Sequence, residues 1–325
     1  MNILFTSVGR RVALVRSFNQ ALKKLNIPGK TVAVDLRKTA PALYEAHHHE
    51  LAPRVDSPNY IDALLDICRR HDIKLLIPLT DTELVLLSKQ QAFFKEAGVS
   101  IIICSPETAH ICANKENTYR FFKEAGFPAI EPVSFEEASR EDSGVHFPLF
   151  MKPSDGSCSI GAERIDDRKA LEFYAQTVEN PILQEYIEGE EYTLDLFVDF
   201  KGQVRCCVPR LRMETRAGEV SKGMTVRNLN IMAAGKQLVA ALPGAMGCIT
   251  VQCFLTDEGQ IKFIEINPRF GGGFPLSAEA GADFPRWLIE LSLGREPADI
   301  GDSWQEDLVM LRYDDAIFVN RQQIT

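Results

Sequence analysis

The first hundred residues alternate short β-rich apolar runs with stretches of helical period. The runs are "NILFTS", "TVAVDL", "KLLIPL" and "VSIIIC"; between them lie "RRVALVRSFNQALKKL", "YIDALLDICRRH" and "ELVLLSKQQAFFKEAG". Strands spaced by helices of this length predict a parallel sheet with crossover helices. The third helix opens on "TDTE", where Thr80 and Glu83 have the spacing of a capping box. "SPETAHICANK" predicts a short helix with Ser105 as N-cap and Pro106 in its first turn, and marks a boundary.

Beyond that boundary the pattern changes. A helix is predicted over 117–125, then a strand "FPLFMK", a glycine-bearing loop "PSDGSCSIG", a helix over 168–177 and a strand "PILQEYI". "EEYTLDLFVDF" and "QVRCCVPRL" flank "KG" as one hairpin, and "ITVQCFL" and "IKFIEIN" flank "TDEGQ" as a second. The fold class is therefore α/β for residues 1–105 followed by α+β for 106–301. Residues 302–325 read as a polar tail with one apolar patch.

Composition narrows the function. The 325 residues are 45% hydrophobic, enough for two or three packed units. The 36 Lys+Arg against 45 Asp+Glu leave a net charge of -9 with no charge run, which disfavours nucleic-acid binding. Eight cysteines without C-x-x-C spacing, mostly in apolar runs, fit buried thiols in a reducing compartment. The apolar run at the N-terminus is too short for a signal peptide, and no stretch approaches the ~18 apolar residues of a membrane span. A cytoplasmic protein is expected. His47, His48 and His49 read as a polar loop.

The candidate chemistry lies in three segments, once the first strand-to-helix turn is set aside. "TSVGRR" follows a strand and opens a helix, but its single glycine is not a dinucleotide fingerprint. In "FPLFMKPSDGSCSIG", Lys152 ends a strand, and Ser154, Gly156, Ser157, Ser159 and Gly161 make a loop of small residues. That loop is either a phosphate cradle built from N–H groups and a cation, or an ordinary turn. In "LQEYIEGEEY", Glu185 and Ile187 share a strand face and Glu191 follows the Gly189 turn. The pattern suits a nucleobase wall and a ribose carboxylate, or a charged hairpin turn.

The third segment is "TVQCFLTDEGQIKFIEINPRF". Glu265, Asn267 and Arg269 alternate onto one face, and pairing around "TDEGQ" brings Gln252 beside Glu265 and Asn267. Such oxygen donors suit magnesium, and a guanidinium fork two residues on can hold a phosphoryl oxygen. Between the hairpins, "PRLRMETRAGEVSKGMTVRN" supplies Arg210, Arg212, Arg216, Lys222 and Arg227, as a carboxylate-binding segment or a basic solvated loop.

In this order and spacing the segments resemble the ATP-grasp ligases, in particular the carbamoyl phosphate synthetase large-subunit-like branch, over residues 1 to about 295. The resemblance implies a Rossmann-like preATP-grasp domain followed by an ATP-grasp fold, with a lid subdomain over about 115–185. It implies phosphate-binding lysines at Lys115, in "NKENTYRFFKEAGFP", and at Lys152, with the 153–161 loop closing over the phosphates. Glu185 and Ile187 then line the adenine hinge, Glu191 holds the ribose, Gln252, Glu265 and Asn267 hold the metal, and Arg269 acts on the phosphoryl group. Gln252 stands where most members have an acid, and "SDGSCSIG" is poorer in glycine than the synthetase loop. No second synthetase half and no glutaminase-like portion are present.

The implied activity is an ATP- and magnesium-dependent carboxylate-amine ligase working through an acyl phosphate, on a small-molecule acid and amine. Two alternatives share the fold: a kinase of bicarbonate or another small carboxylate, and a non-catalytic ATP-binding regulatory protein. No motif specifies either substrate or an oligomeric state.

Overall fold

The computed structural model describes residues 1–154 and 161–324. Five parallel strands, β1 (Asn2–Thr6), β2 (Thr31–Asp35), β3 (His48–Leu51), β4 (Ile73–Pro78) and β5 (Ser100–Ile101), form a sheet in the order β3-β2-β1-β4-β5. The crossover helices include Val12–Lys24 and Tyr60–Arg70. The stretch predicted as one helix after β4 is two, Asp81–Ser88 and Gln91–Glu96. Only His47 of the histidine triplet lies in a loop: His48 and His49 belong to β3, whose exposed side chains face solvent at the sheet edge.

The Thr80–Glu83 spacing has a larger role than capping. Glu83 is fully buried; its Oε1 accepts from Thr80 N–H at 3.2 Å and Leu79 N–H at 3.0 Å, while its Oε2 accepts from the Tyr60 hydroxyl at 2.6 Å and Ser7 Oγ at 3.1 Å. Burial holds its carboxyl above the usual range. This hub pins the end of β1 to the start of the Asp81–Ser88 helix.

After the Pro106–Ile111 helix, capped by Ser105, comes a helix at Lys115–Glu124. A four-stranded sheet follows, from β6 (Pro132–Val133), β7 (Leu149–Pro153), β8 (Glu163–Ile165) and β9 (Pro181–Glu185), in the order β6-β9-β7-β8. It has a core of its own, including Leu149, Met151, Ile165 and Leu183. The largest sheet is antiparallel, with order β14-β13-β10-β11-β12-β15. Its strands are β10 (Gly189–Val198), β11 (Val204–Arg216), β12 (Glu219–Thr225), β13 (Gly247–Thr256), β14 (Ile261–Asn267) and β15 (Val309–Leu311). Both predicted hairpins are present, as β10–β11 and β13–β14.

The cation-rich segment after residue 209 is not a loop; it forms β11 and β12 around a two-residue turn in which Ala217 and Gly218 both have positive φ. The stretch after Gly301 is more than a tail, because Trp304 is buried beneath the Arg227 guanidinium, 4.1 Å from its ring centre, and β15 extends the large sheet.

A run of aromatic rings locks the parallel sheet to the antiparallel one. Phe5 meets Phe18 at 5.0 Å, Phe18 meets Phe270 at 5.8 Å, Phe270 meets Phe274 at 4.8 Å and Phe274 meets Phe284 at 5.1 Å. Each such pair adds about 0.5–1.5 kcal/mol beyond area burial. The cleft between the two units thus has walls fixed by one shared core.

Candidate active site

The floor of the cleft is the β13–β14 hairpin. Phe263 and Glu265 are two residues apart and would share a face in a regular strand. Instead Cys253 stands opposite Phe263 and Gln252 opposite Glu265, leaving Ile264 as an extra, bulged residue. The bulge sends Phe263 into the core against Phe122 and turns Glu265 toward the cleft. There Glu265 Oε1 accepts from Gln252 Nε2 at 2.6 Å and from Asn267 Nδ2 at 2.8 Å.

Arg269 continues this row beyond the strand. Its Nη2 donates to Asn267 Oδ1 at 3.3 Å, and its Nε and Nη2 donate to Asp81 Oδ2 at 3.2 and 2.6 Å. Asp81 opens its helix on the N-terminal unit, so one ion pair fastens that unit to the end of the β13–β14 hairpin in the other. Among the described residues the other Asp81 oxygen, Oδ1, is buried without a hydrogen-bond partner, as is Thr193 Oγ1 on the cleft wall. Two of the three glycines that follow Arg269 are explained by arginines. A Cβ on Gly273 would collide with the Arg210 guanidinium, and one on Gly272 would lie 2.9 Å from Arg11 Nη1. Arg210 itself is buried, with Nε and Nη2 on Asp195 at 2.7 and 3.1 Å.

Two lysines face this floor. Asn114 caps the Lys115–Glu124 helix through its Oδ1, which accepts from Asn117 N–H at 2.9 Å. Lys115, the first helical residue, donates from Nζ to the Ser154 carbonyl at 3.2 Å and so spans to the end of β7. Lys152 sits on β7, 9% exposed. Burial pushes its ammonium down to about 8; the Glu265 and Glu191 carboxylates oppose that fall, and Lys115 adds to it. Glu191 is likewise held above its usual range by burial, with Arg212 opposing through a 3.0 Å ion pair.

Lys115, Gln252, Glu265, Asn267 and Arg269 line one cleft of about 380 Å³, and Lys152 and Glu191 join their field. Glu185, Ile187 and Gly161 do not line it. Glu185 accepts from Lys262 Nζ at 2.6 Å, Ile187 is half-buried in the link from β9 to β10, and Gly161 packs near Pro153. Gly156, Ser157 and Ser159 lie outside the described residues. Of the cation-rich segment, Arg210 and Arg212 reach the cleft, while Arg216 and Lys222 pair outside it with Asp314 at 2.5 Å and Glu214 at 2.8 Å. Arg11, Asp81, Thr193 and Glu219 complete the walls unannounced by any motif, though Arg11 sits in the "TSVGRR" turn.

Comparison with known proteins agrees with this architecture. A family model described as "PylC-like, N-terminal domain" matches residues 3–102, and one described as "ATP-grasp domain" matches residues 112–273. The chain is 24% identical over 315 residues to a biotin carboxylase of Halalkalibacterium halodurans, covering 84% of this chain and 66% of that one. It is 23% identical over 223 residues to a carbamoyl phosphate synthase large chain of Thermoanaerobacter sp. strain X514, covering 63% of this chain and 20% of that one. A biotin carboxylase–βγ-ATP complex from Campylobacter jejuni superposes with a TM-score of 0.75 at 15% identity, over 94% of this chain and 74% of that one. The chain belongs to the ATP-grasp superfamily, with a Rossmann-like N-terminal domain ahead of the ATP-grasp fold. It spans about two thirds of the first of these relatives and a fifth of the second.

Proposed function

We propose that the protein is an ATP- and magnesium-dependent carboxylate-amine ligase. The observation that carries this reading is the convergence of Gln252, Glu265 and Asn267 with Arg269 and Lys115 on one cleft, with Lys152 near enough to feel the charges of Glu265 and Lys115. Two lysines can take the phosphates of a nucleotide, Glu191 its ribose, and Glu185 with Ile187 the strand link beside its base. Among the described residues no three His, Cys, Asp or Glu side chains form a metal cluster. One carboxylate between two amides is instead a hard-oxygen donor set, once the amides turn their oxygens inward, and it suits magnesium. When bound, that ion neutralises charge on the β- and γ-phosphates.

The balance of the reaction is simple. A carboxylate oxygen of the acid takes the γ-phosphoryl group and ADP leaves; the amine nitrogen then attacks the acyl carbon, loses a proton and expels phosphate. Arg269 steadies the phosphoryl group in transit, and no side-chain nucleophile is required. The seven described cysteines are free, which fits a reducing, cytoplasmic setting, and no helix among the described residues is long and apolar enough to cross a membrane.

Phosphate release from ATP and magnesium, measured across a matrix of small carboxylates and amines and followed by mass analysis, tests the proposal. Release that needs one acid and one amine is the expected result. Release with bicarbonate alone would identify a carboxylate kinase, and none with any pair would leave an ATP-binding protein.

Lys152 yields a pH prediction. Below about pH 8 the native protein bears the buried charge; between there and the ordinary lysine value of about 10.4 the unfolded chain binds more protons, so stability rises with pH. Lys152→Met should therefore be more stable than wild type at pH 7, by roughly 1–3 kcal/mol, and lose that advantage toward pH 10. Its nucleotide affinity should fall at least about 10-fold. Thermal unfolding from pH 7 to 10 with MgADP titrations checks both, and a variant less stable at pH 7 would refute the burial argument.

A further inference from the structure

One guanidinium in the cleft stands apart from the others. Arg210 is forked onto Asp195, Arg212 pairs with Glu191 and Arg269 is forked onto Asp81. Arg11 also lines the cleft, half-buried, yet among the described residues its side chain makes no hydrogen bond and has no carboxylate within ion-pair distance. Burial and the nearby Arg269 pull it down to about 10, against the pull of Glu219 and Asp81.

Its acidic neighbours are already engaged. Glu219 pairs with Arg10 at 3.1 Å and with Arg312 at 3.4 Å, and Asp81 holds Arg269. Four guanidinia thus share two carboxylates at this end of the cleft. The close approach that Gly272 allows places Arg11 Nη1 against the glycine run, on the same wall as Arg269. A desolvated guanidinium with five donors and no acceptor is costly unless a ligand completes it.

We propose that Arg11 is a substrate-binding residue that takes an anionic group, carboxylate or phosphate, of the acid the enzyme activates. The inference rests on the ligase reading. It adds that the N-terminal domain itself contributes the acid subsite.

Phenylglyoxal labelling of the wild-type protein saturated with MgADP, mapped by peptide mass spectrometry, gives a readout independent of turnover. Acetate and succinate are the carboxylate arms, glycerol 3-phosphate is the phosphate arm, and chloride is the control. Slower labelling of Arg11 in one arm is expected and tells which anion it prefers. Equal labelling in all arms overturns the inference. If MgADP itself fails to bind by calorimetry, the ligase reading fails instead, and the anion arms are run without it to judge Arg11. With an acid from the phosphate-release matrix, Arg11→Gln should raise the acid KM about 30-fold or more while leaving kcat and the ATP KM within about 2-fold, and Arg11→Lys should recover part of the loss. An unchanged acid KM, or an equal rise in the ATP KM, would also overturn it.

Discussion

Glu265→Ala is expected to lower kcat by at least about 100-fold, the scale seen when one group that stabilises transition-state charge is removed. Glu265 Oε1 is the shared acceptor of Gln252 and Asn267, so its loss removes the one carboxylate of the donor set and unties both amides. Nucleotide contacts assigned to Lys115, Lys152 and Glu191 lie on other elements. Affinity for ADP measured in EDTA should therefore change much less than turnover. Steady-state kinetics across a magnesium series, with calorimetry of ADP in EDTA, check the two halves. Wild-type turnover in the variant would remove Glu265 from the metal set.

What the sequence disclosed about this site, and what it hid, follows from the range of the interactions. The alternation in "FIEINPRF" is local, and so is the "TDEGQ" turn; together they were enough to bring Gln252 opposite Glu265. A strict period of two would put Phe263 on the face of Glu265; the bulge at Ile264 turns it instead against Phe122 and Phe127, contacts that no strand period encodes. The parallel sheet was legible from rhythm, since β1, β2 and β4 are buried on both faces and read as continuous apolar runs.

Contacts between distant segments were not legible. Glu83 looked like a capping residue because its nearest signal is three residues away, whereas its bonds to Tyr60 and Ser7 are set by the sheet. Arg11 lies in a turn whose single glycine makes no dinucleotide fingerprint and Asp81 in a capping box, and the aromatic run from Phe5 to Phe284 docks their unit on the other. The paired cations of β11 and β12 show the converse: a cation-rich segment in sequence becomes, in the fold, a set of individually paired side chains.

Arg269→Lys should lower kcat about 10-fold or more, with the ATP KM changed much less. Lysine keeps the charge but cannot use two nitrogens at once, whereas Arg269 uses its fork on Asp81 and, in the proposed reaction, would use it on a phosphoryl oxygen as well. Asp81 is then a positioning residue that acts through Arg269. Asp81→Asn preserves shape and removes the charge that fixes the guanidinium, so it should lower kcat in the same direction, by less. Combining the two substitutions separates the roles, because a residue that works only through Arg269 adds nothing once the fork has gone. The double variant is therefore expected to match Arg269→Lys alone. Effects on kcat that multiply would make Asp81 an independent contributor, and a raised ATP KM with kcat untouched in Arg269→Lys would make Arg269 a ground-state binder rather than a stabiliser of the phosphoryl group in transit.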